Sequence, residues 1–207
     1  MRHTYTHKNT KKSNKSNKSN KSSKNRVFSK KDYEAGDGMV TNIWGPAMWH
    51  YLHTMSFNYP VKPTHEDKIH YRDFVINLQY VLPCKYCRIN LKTNFKTLPL
   101  TISIMKNRDT FSRYIYNLHE LVNEMLNKKS KLSYEDVKER YEHFRSRCVN
   151  EKINTFTKPL KKTLKKKEKG CTEPLYGKKS KCIIKIVPID DKGLTFQMDK
   201  KCIKTRE

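Results

Sequence analysis

The 207 residues contain no run approaching the roughly 18 apolar residues of a membrane-spanning helix, and the N-terminus has charge and histidine but no apolar core for a signal peptide. Acid is scarce, with 20 Asp and Glu against 45 Lys and Arg, a formal charge of +25. The excess is uneven. Residues 8–31 hold nine lysines, one arginine and no acid, and residues 151–170 hold eight lysines against two glutamates, so the basicity belongs mostly to the flanks. Such flanks suit nucleic acid, anionic lipid or an acidic partner, or act as a solvated polyelectrolyte arm. Between Lys8 and Val27 there is no aromatic and only one arginine, which disfavours a specific nucleic-acid groove and leaves diffuse polyanion attraction. Six cysteines, at 84, 87, 148, 171, 182 and 202, are too few to demand a disulfide-framework fold. A second CxxC, which a zinc ribbon would need, is missing.

Along the chain, residues 1–38 form a Lys/Ser/Asn-rich arm without the apolar area to offset chain ordering, and are expected to be disordered. Order begins near Thr41 and Asn42, either of which can cap a helix carrying Trp44, Pro46, Trp49, Leu52, His53 and Phe57. Pro60 and Pro63 end it. A second helix runs from Thr64, with Asp67 three residues on, to about Val81, and its apolar stripe is Phe74, Val75, Leu78 and Val81. A third runs from Cys84 to about Phe95. A fourth opens near Asp109 or Thr110 and carries Phe111, Tyr114, Ile115, Leu118, His119, Val122, Met125 and Leu126, with Asn123 beside His119 on the margin of that face. A short fifth follows Ser133 and Asp136, with Val137, Tyr141 and Phe144 inward. Beyond a basic linker at 151–170, residues 171–207 are a small Cys-containing extension in which Cys182–Val187 and Leu194–Met198 alternate like the strands of a β-hairpin. Pairing among Cys171, Cys182 and Cys202 would steady it.

The stretch with the clearest chemistry is Leu82-Pro83-Cys84-Lys-Tyr-Cys87-Arg88. Two cysteines one turn apart at a helix start can bridge, and unpaired N–H groups, the helix dipole and Lys85 and Arg88 all favour thiolate there. A lone CxxC also fits half a metal site or structural cysteine. A basic zinc- or nucleic-acid-binding module with a structural CxxC is therefore the alternative to a redox enzyme.

Three segments together resemble the Erv/ALR family of flavin-linked sulfhydryl oxidases, in the form carried by large cytoplasmic DNA viruses. They are Trp44-Gly-Pro-x-x-Trp49-x-x-x-His53 followed by Tyr59-Pro60, then Leu82-Pro83-Cys84-x-x-Cys87, then Tyr114 through His119 to Val122-Asn123-x-x-Leu126. The resemblance covers about residues 41–148. It implies an all-α fold, a four-helix bundle plus a short fifth helix over residues 39–150, here with the C-terminal β-hairpin extension. It also implies FAD as cofactor and a homodimer. By that likeness Trp44, Trp49, His53 and Tyr59 lie near the flavin, and His119, Asn123, Leu126, Lys128, Lys131 and Tyr134 line the side towards ribose, adenine and phosphate. Aromatics supply stacking, His and Asn oriented hydrogen bonds, and lysines charge for a pyrophosphate.

The activity so implied is thiol oxidation. Protein thiols, those of a thioredoxin-like carrier or of viral proteins directly, reduce Cys84, Cys87 faces the FAD, and molecular oxygen leaves as hydrogen peroxide. The host cytoplasm, the viral factory and the virion are the expected locations. The chain departs from the family pattern at Glu120, where Asn is usual, and at Tyr114, where Trp is usual. It also lacks the cysteine near Ser133-Tyr134 that in relatives bridges to one near Cys148. A tail pair drawn from Cys171, Cys182 and Cys202 could shuttle electrons or brace the tail.

Overall fold

The computed structural model describes residues 28–149 and 170–183, together with 185, 187, 188, 190, 191, 193, 197 and 199–202. The chain divides into two compact units, Met1–Gly36 and Asp37–Glu207. In the first, Lys30–Glu34 forms the five-residue helix α1. Ser29 and Asp32 cap each other reciprocally at its start, and the Phe28 and Tyr33 rings stack at 6.2 Å.

The second unit is built from α2 (Thr41–Asn58), α3 (His65–Val81), α4 (Lys85–Thr97), α5 (Arg108–Met125) and α6 (Tyr134–Glu142), with a 3-10 turn at Ile104–Lys106. Local chemistry explains most boundaries. Thr64 with Asp67 and Ser133 with Asp136 form the expected capping boxes of α3 and α6. Asn107 and Thr110 cap α5 in the same reciprocal way, which starts that helix slightly before the expected Asp109 or Thr110. α2 stops at Tyr59, whose extended backbone is what the following Pro60 demands.

The apolar positions of α5 recur at helical spacing and bury Phe111, Tyr114, Ile115 and Leu118. This face packs against α2, while α3 packs on α4 and α6 packs on α2. Val75, Met105, Phe111 and Ile115 are fully buried, each contributing roughly 1.5–3 kcal/mol of transfer free energy. A smaller cluster of Phe57, Tyr134 and Val137 seals the α2–α6 side.

Two expectations need correction. Among the described residues there are six α-helices, not four plus one, because Lys30–Glu34 is also helical; a capping box lets a polar segment make one turn without a hydrophobic stripe. Among the described residues the C-terminal β-hairpin is not formed. Cys182, Ile183, Lys185 and Val187 carry no strand, and the 75% exposed Ile183 side chain adds little burial to hold one in place. Ile184, Ile186, Leu194 to Phe196 and Met198 lie outside the described residues. The sheet pairing instead joins β1 (Ser146–Val149) antiparallel to β2 (Gly170–Pro174), in register Ser146 to Pro174 and Arg147 to Glu173, with a shift before Val149 meets Gly170.

Arg145 anchors this corner. Its guanidinium donates to both carboxylate oxygens of Glu142, at 2.7 and 2.6 Å, and to the Phe57 carbonyl near the end of α2, at 2.8 Å. Its carbonyl accepts from Leu175 N–H. Cys171 is disulfide-bonded, whereas Cys182 and Cys202 are free thiols, so no bridge joins any two of these three.

Candidate active site

Cys84 and Cys87 form a disulfide at the start of α4. With the sulfurs bonded to each other, neither offers the thiolate that zinc would need. Cys84 is the N-cap residue, and its Sγ takes the place of a capping oxygen by accepting from Cys87 N–H at 3.1 Å. Both cysteines are half-buried.

The surrounding loop is held by main chain. Met39 N–H donates to the Pro83 carbonyl at 2.7 Å and Lys85 N–H to the Asp37 carbonyl at 3.3 Å, which makes Gly38 and Cys84 antiparallel partners. Arg88 does not point at the sulfurs; its guanidinium donates to the Leu82 carbonyl and ties the loop to the end of α3. The rim is apolar and open, with Val81, Tyr86 and Ile89 each more than half exposed.

The second half of the site lies further along α2. The Trp49 ring stacks on His119 of α5 at 4.0 Å and 7°. His53, one turn after Trp49 and 4% exposed, shares a hydrogen bond between its Nε2 and His119 Nδ1 at 3.0 Å. Burial holds both rings neutral. It pushes His53 down to about 3, with the neighbouring His119 and His50 adding to the shift, and His119 down to about 4, with Lys128 adding. His53 Nδ1 is buried without a hydrogen-bond partner among the described residues.

The cluster extends to residues that the sequence did not single out for this role. His50 Nδ1 lies 3.2 Å from the Tyr141 hydroxyl, and Tyr141 stacks on Phe57 and tilts against His53. The signal available was the position of His50 one turn before His53. Tyr141 on α6 could be linked to it only through the fold.

Other expected site residues fall elsewhere. Trp44 is half-buried and donates from Nε1 to the Met39 carbonyl at 3.1 Å, bracing the segment before the dithiol. Tyr59 is a core residue, fully buried between Tyr71 and Phe111 with its hydroxyl donating to the Met105 carbonyl at 3.0 Å. Tyr134 is equally committed, its hydroxyl 2.8 Å from Ser112 Oγ and its ring under the Arg113 guanidinium. Asn123 Nδ2 donates to Glu120, the residue that departs from the family pattern, at 3.1 Å. Leu126 is half exposed, and Lys128 and Lys131 are exposed in the turn after α5.

Asn127, in the left-handed region at φ 53°, makes that turn and lets Lys128 N–H reach the Asn123 carbonyl. A groove of about 750 Å³ runs beside this turn, lined by Leu98, Tyr116, Glu120, Glu124 and Lys128 among others. It shares Lys128 with the expected set but touches none of Trp49, His53 or His119.

Residues 46–142 match the Erv1 / Alr family. A probable FAD-linked sulfhydryl oxidase of Acanthamoeba polyphaga mimivirus is 35% identical over 91 residues, 44% of this chain and 64% of that protein. The FAD-linked sulfhydryl oxidase of African swine fever virus is 30% identical over 99 residues, 48% of this chain and 80% of that protein. The crystal structure of the yeast Erv1 core superposes with a TM-score of 0.45 at 20% identity, covering 60% of this chain and 95% of that one. With the bridged CxxC and the Trp49, His53 and His119 cluster inside the matched stretch, the chain belongs to the Erv1 / Alr family, and its helical core is that of a FAD-linked sulfhydryl oxidase.

Proposed function

We propose that the protein oxidises pairs of protein thiols to disulfides at Cys84–Cys87, with FAD as the internal acceptor. The observation that carries this is the arrangement of α2, whose first residue reaches the dithiol and whose third and fourth turns build the Trp49, His53 and His119 cluster. The cluster fits a flat heterocycle with hydrogen-bonding edges, because an indole and a neutral imidazole stack there, a second neutral imidazole is tilted beside them, and the buried His53 Nδ1 lacks a partner among the described residues.

In this reading Trp49, His53 and His119 hold the ring systems of FAD, Trp44 braces the approach, and Asn123, Lys128 and Lys131 serve the polar linker. Tyr59 and Tyr134 support from the core. When bound, FAD supplies a two-electron acceptor that molecular oxygen reoxidises, giving hydrogen peroxide.

The chain's own chemistry is thiol–disulfide exchange. A substrate thiolate attacks Cys84 Sγ, the Cys84–Cys87 bond breaks, and Cys87 leaves as thiolate. A second substrate thiolate then attacks the substrate sulfur of the mixed disulfide, releasing Cys84 thiolate and the substrate disulfide. The Cys87 N–H directed at Cys84 Sγ stabilises the anion formed there. The open apolar rim of Val81, Tyr86 and Ile89 suits an unfolded or flexible polypeptide, which a thioredoxin-like carrier or a direct substrate could present. Exposed Ile43, Tyr51 and Phe74 on α2 and α3 offer a face for a second copy, and sedimentation of the purified protein tests the dimer.

The deciding experiment is spectroscopic. The purified protein is expected to be yellow, to bleach anaerobically with dithiothreitol and to regain its colour with oxygen. A protein that stays colourless after reconstitution with FAD overturns the proposal.

A further inference from the structure

Thr41 has the residue type of a helix cap, yet α2 does not use it as one. The N-cap is Val40, which makes no side-chain cap, and Thr41 is the first helical residue. Its hydroxyl instead lies 3.8 Å from Cys87 Sγ, across 46 residues of sequence.

The placement is enforced by the backbone before it. Asp37 to Met39 runs as a short strap antiparallel to Pro83–Lys85, held by the Met39 to Pro83 and Lys85 to Asp37 hydrogen bonds. Gly38 sits at φ 112°, and a Cβ there would stand 2.5 Å from the Pro83 oxygen and 2.8 Å from Cys84 Cα. Any side chain at 38 would push the strap off the dithiol loop. On its other side the Trp44 indole holds the Met39 carbonyl.

We propose that Thr41 is a further residue of the redox site, whose hydroxyl donates to the Cys87 sulfur once the Cys84–Cys87 bond opens, and that the Gly38 strap sets its position. The inference rests on the dithiol being redox-active. In the bridged state the sulfur is a weak acceptor and the contact contributes little. When a substrate thiolate takes Cys84, the electron pair of the broken bond stays on Cys87, and a neutral contact becomes a charge-assisted one. No proton moves. The two sulfurs then have separate donors, Cys87 N–H for Cys84 and the Thr41 hydroxyl for Cys87. A donor that acts only on the reduced state makes Cys87 a better leaving group and shifts the pair towards reduction.

The test is the equilibrium of the full-length holoprotein with anaerobic glutathione buffers, followed by acid quench, differential alkylation and mass measurement of the Cys84–Cys87 peptide. Thr41→Val keeps the shape and removes the hydroxyl. It is expected to shift the equilibrium about threefold to tenfold towards the disulfide, roughly 15–30 mV more negative. Thr41→Ser is expected to restore the wild-type value, and Gly38→Ala to shift it in the same direction as Thr41→Val. Equal potentials for wild type and Thr41→Val overturn the role of Thr41 while leaving the oxidase reading intact, and so does a shift in Thr41→Ser as large as in Thr41→Val. A wild-type dithiol that does not exchange with glutathione overturns both.

Discussion

The two halves of the site are held in opposite ways. The dithiol is fixed mostly by main-chain groups, those of Asp37, Met39, Pro83, Lys85 and Cys87, with the Arg88 and Trp44 side chains tying the flanking backbone, and it is partly open to solvent. The Trp49, His53 and His119 cluster is fixed by side chains, through one stack and one imidazole pair inside the bundle. A group that must exchange with many thiols needs access and a rigid backbone but little side-chain detail. A cluster that, as proposed, holds one cofactor needs shape and defined protonation.

Four experiments separate the halves, beginning with the largest expected effect. Cys84→Ser and Cys87→Ser are each expected to abolish dithiol-driven oxygen consumption while leaving the flavin absorbance in place. Full turnover in either variant removes its assigned role.

His119→Ala removes the Trp49 stack and the His53 hydrogen bond together. It is expected to lower flavin content per protein and to cost roughly 2–4 kcal/mol of stability by thermal or denaturant unfolding. The same variant should leave the glutathione equilibrium of Cys84–Cys87 near wild type. A dithiol shift as large as the loss of flavin would mean that the halves are not separate.

Acid should act on the buried half. His53 and His119 have folded-state values depressed below the ordinary histidine value of about 6.5, so the unfolded chain takes up protons first as pH falls. Their contribution is fully present above about pH 6.5 and is lost as pH falls towards about 4 and 3. Each pH unit in that window removes up to roughly 1.4 kcal/mol per ring. Melting temperatures of the flavin-free protein at pH 7, 6 and 5 should fall in order, and a flat profile rejects the neutral pair.

Least affected should be a chain lacking residues 1–27. Oxidation of a small dithiol is expected to stay within about twofold of the full chain, because diffuse charge steers large anionic partners more than a neutral reagent. A large drop would draw the basic arm into the site.

What could be read from the sequence was what neighbouring residues decide among themselves. Thr64 with Asp67, Ser133 with Asp136 and Cys84 with Cys87 are each three apart, and each behaves as its spacing requires. The α5 stripe was equally plain, since a 3.6-residue repeat needs no knowledge of the partner helix. His53 and His119, 66 residues apart and assigned by the resemblance to different parts of the cofactor, are paired only by the fold. Thr41 looked like a cap and proved to be a neighbour of Cys87, a contact that depends on how α2 meets α4. Tyr59 and Tyr134 carried the chemistry of ligand contacts, but their hydroxyls are taken by Met105 and Ser112 within the core. The hairpin shows the limit of such patterns: alternation is local, while a strand needs burial that the exposed Ile183 does not provide.

α2 serves both halves, and its geometry makes it a ruler. Thr41 meets Cys87, Trp49 and His53 meet His119, and the Phe57 carbonyl meets Arg145, all on one continuous helix. A straight helix rises about 1.5 Å and turns about 100° per residue, so the first two contacts stand roughly 12 Å apart in a fixed angular relation. Substitutions along its exposed side leave that relation untouched, whereas one residue gained or lost between Thr41 and Trp49 would swing the dithiol end by more than a quarter turn against the histidines. The helix can therefore drift in composition and not in length.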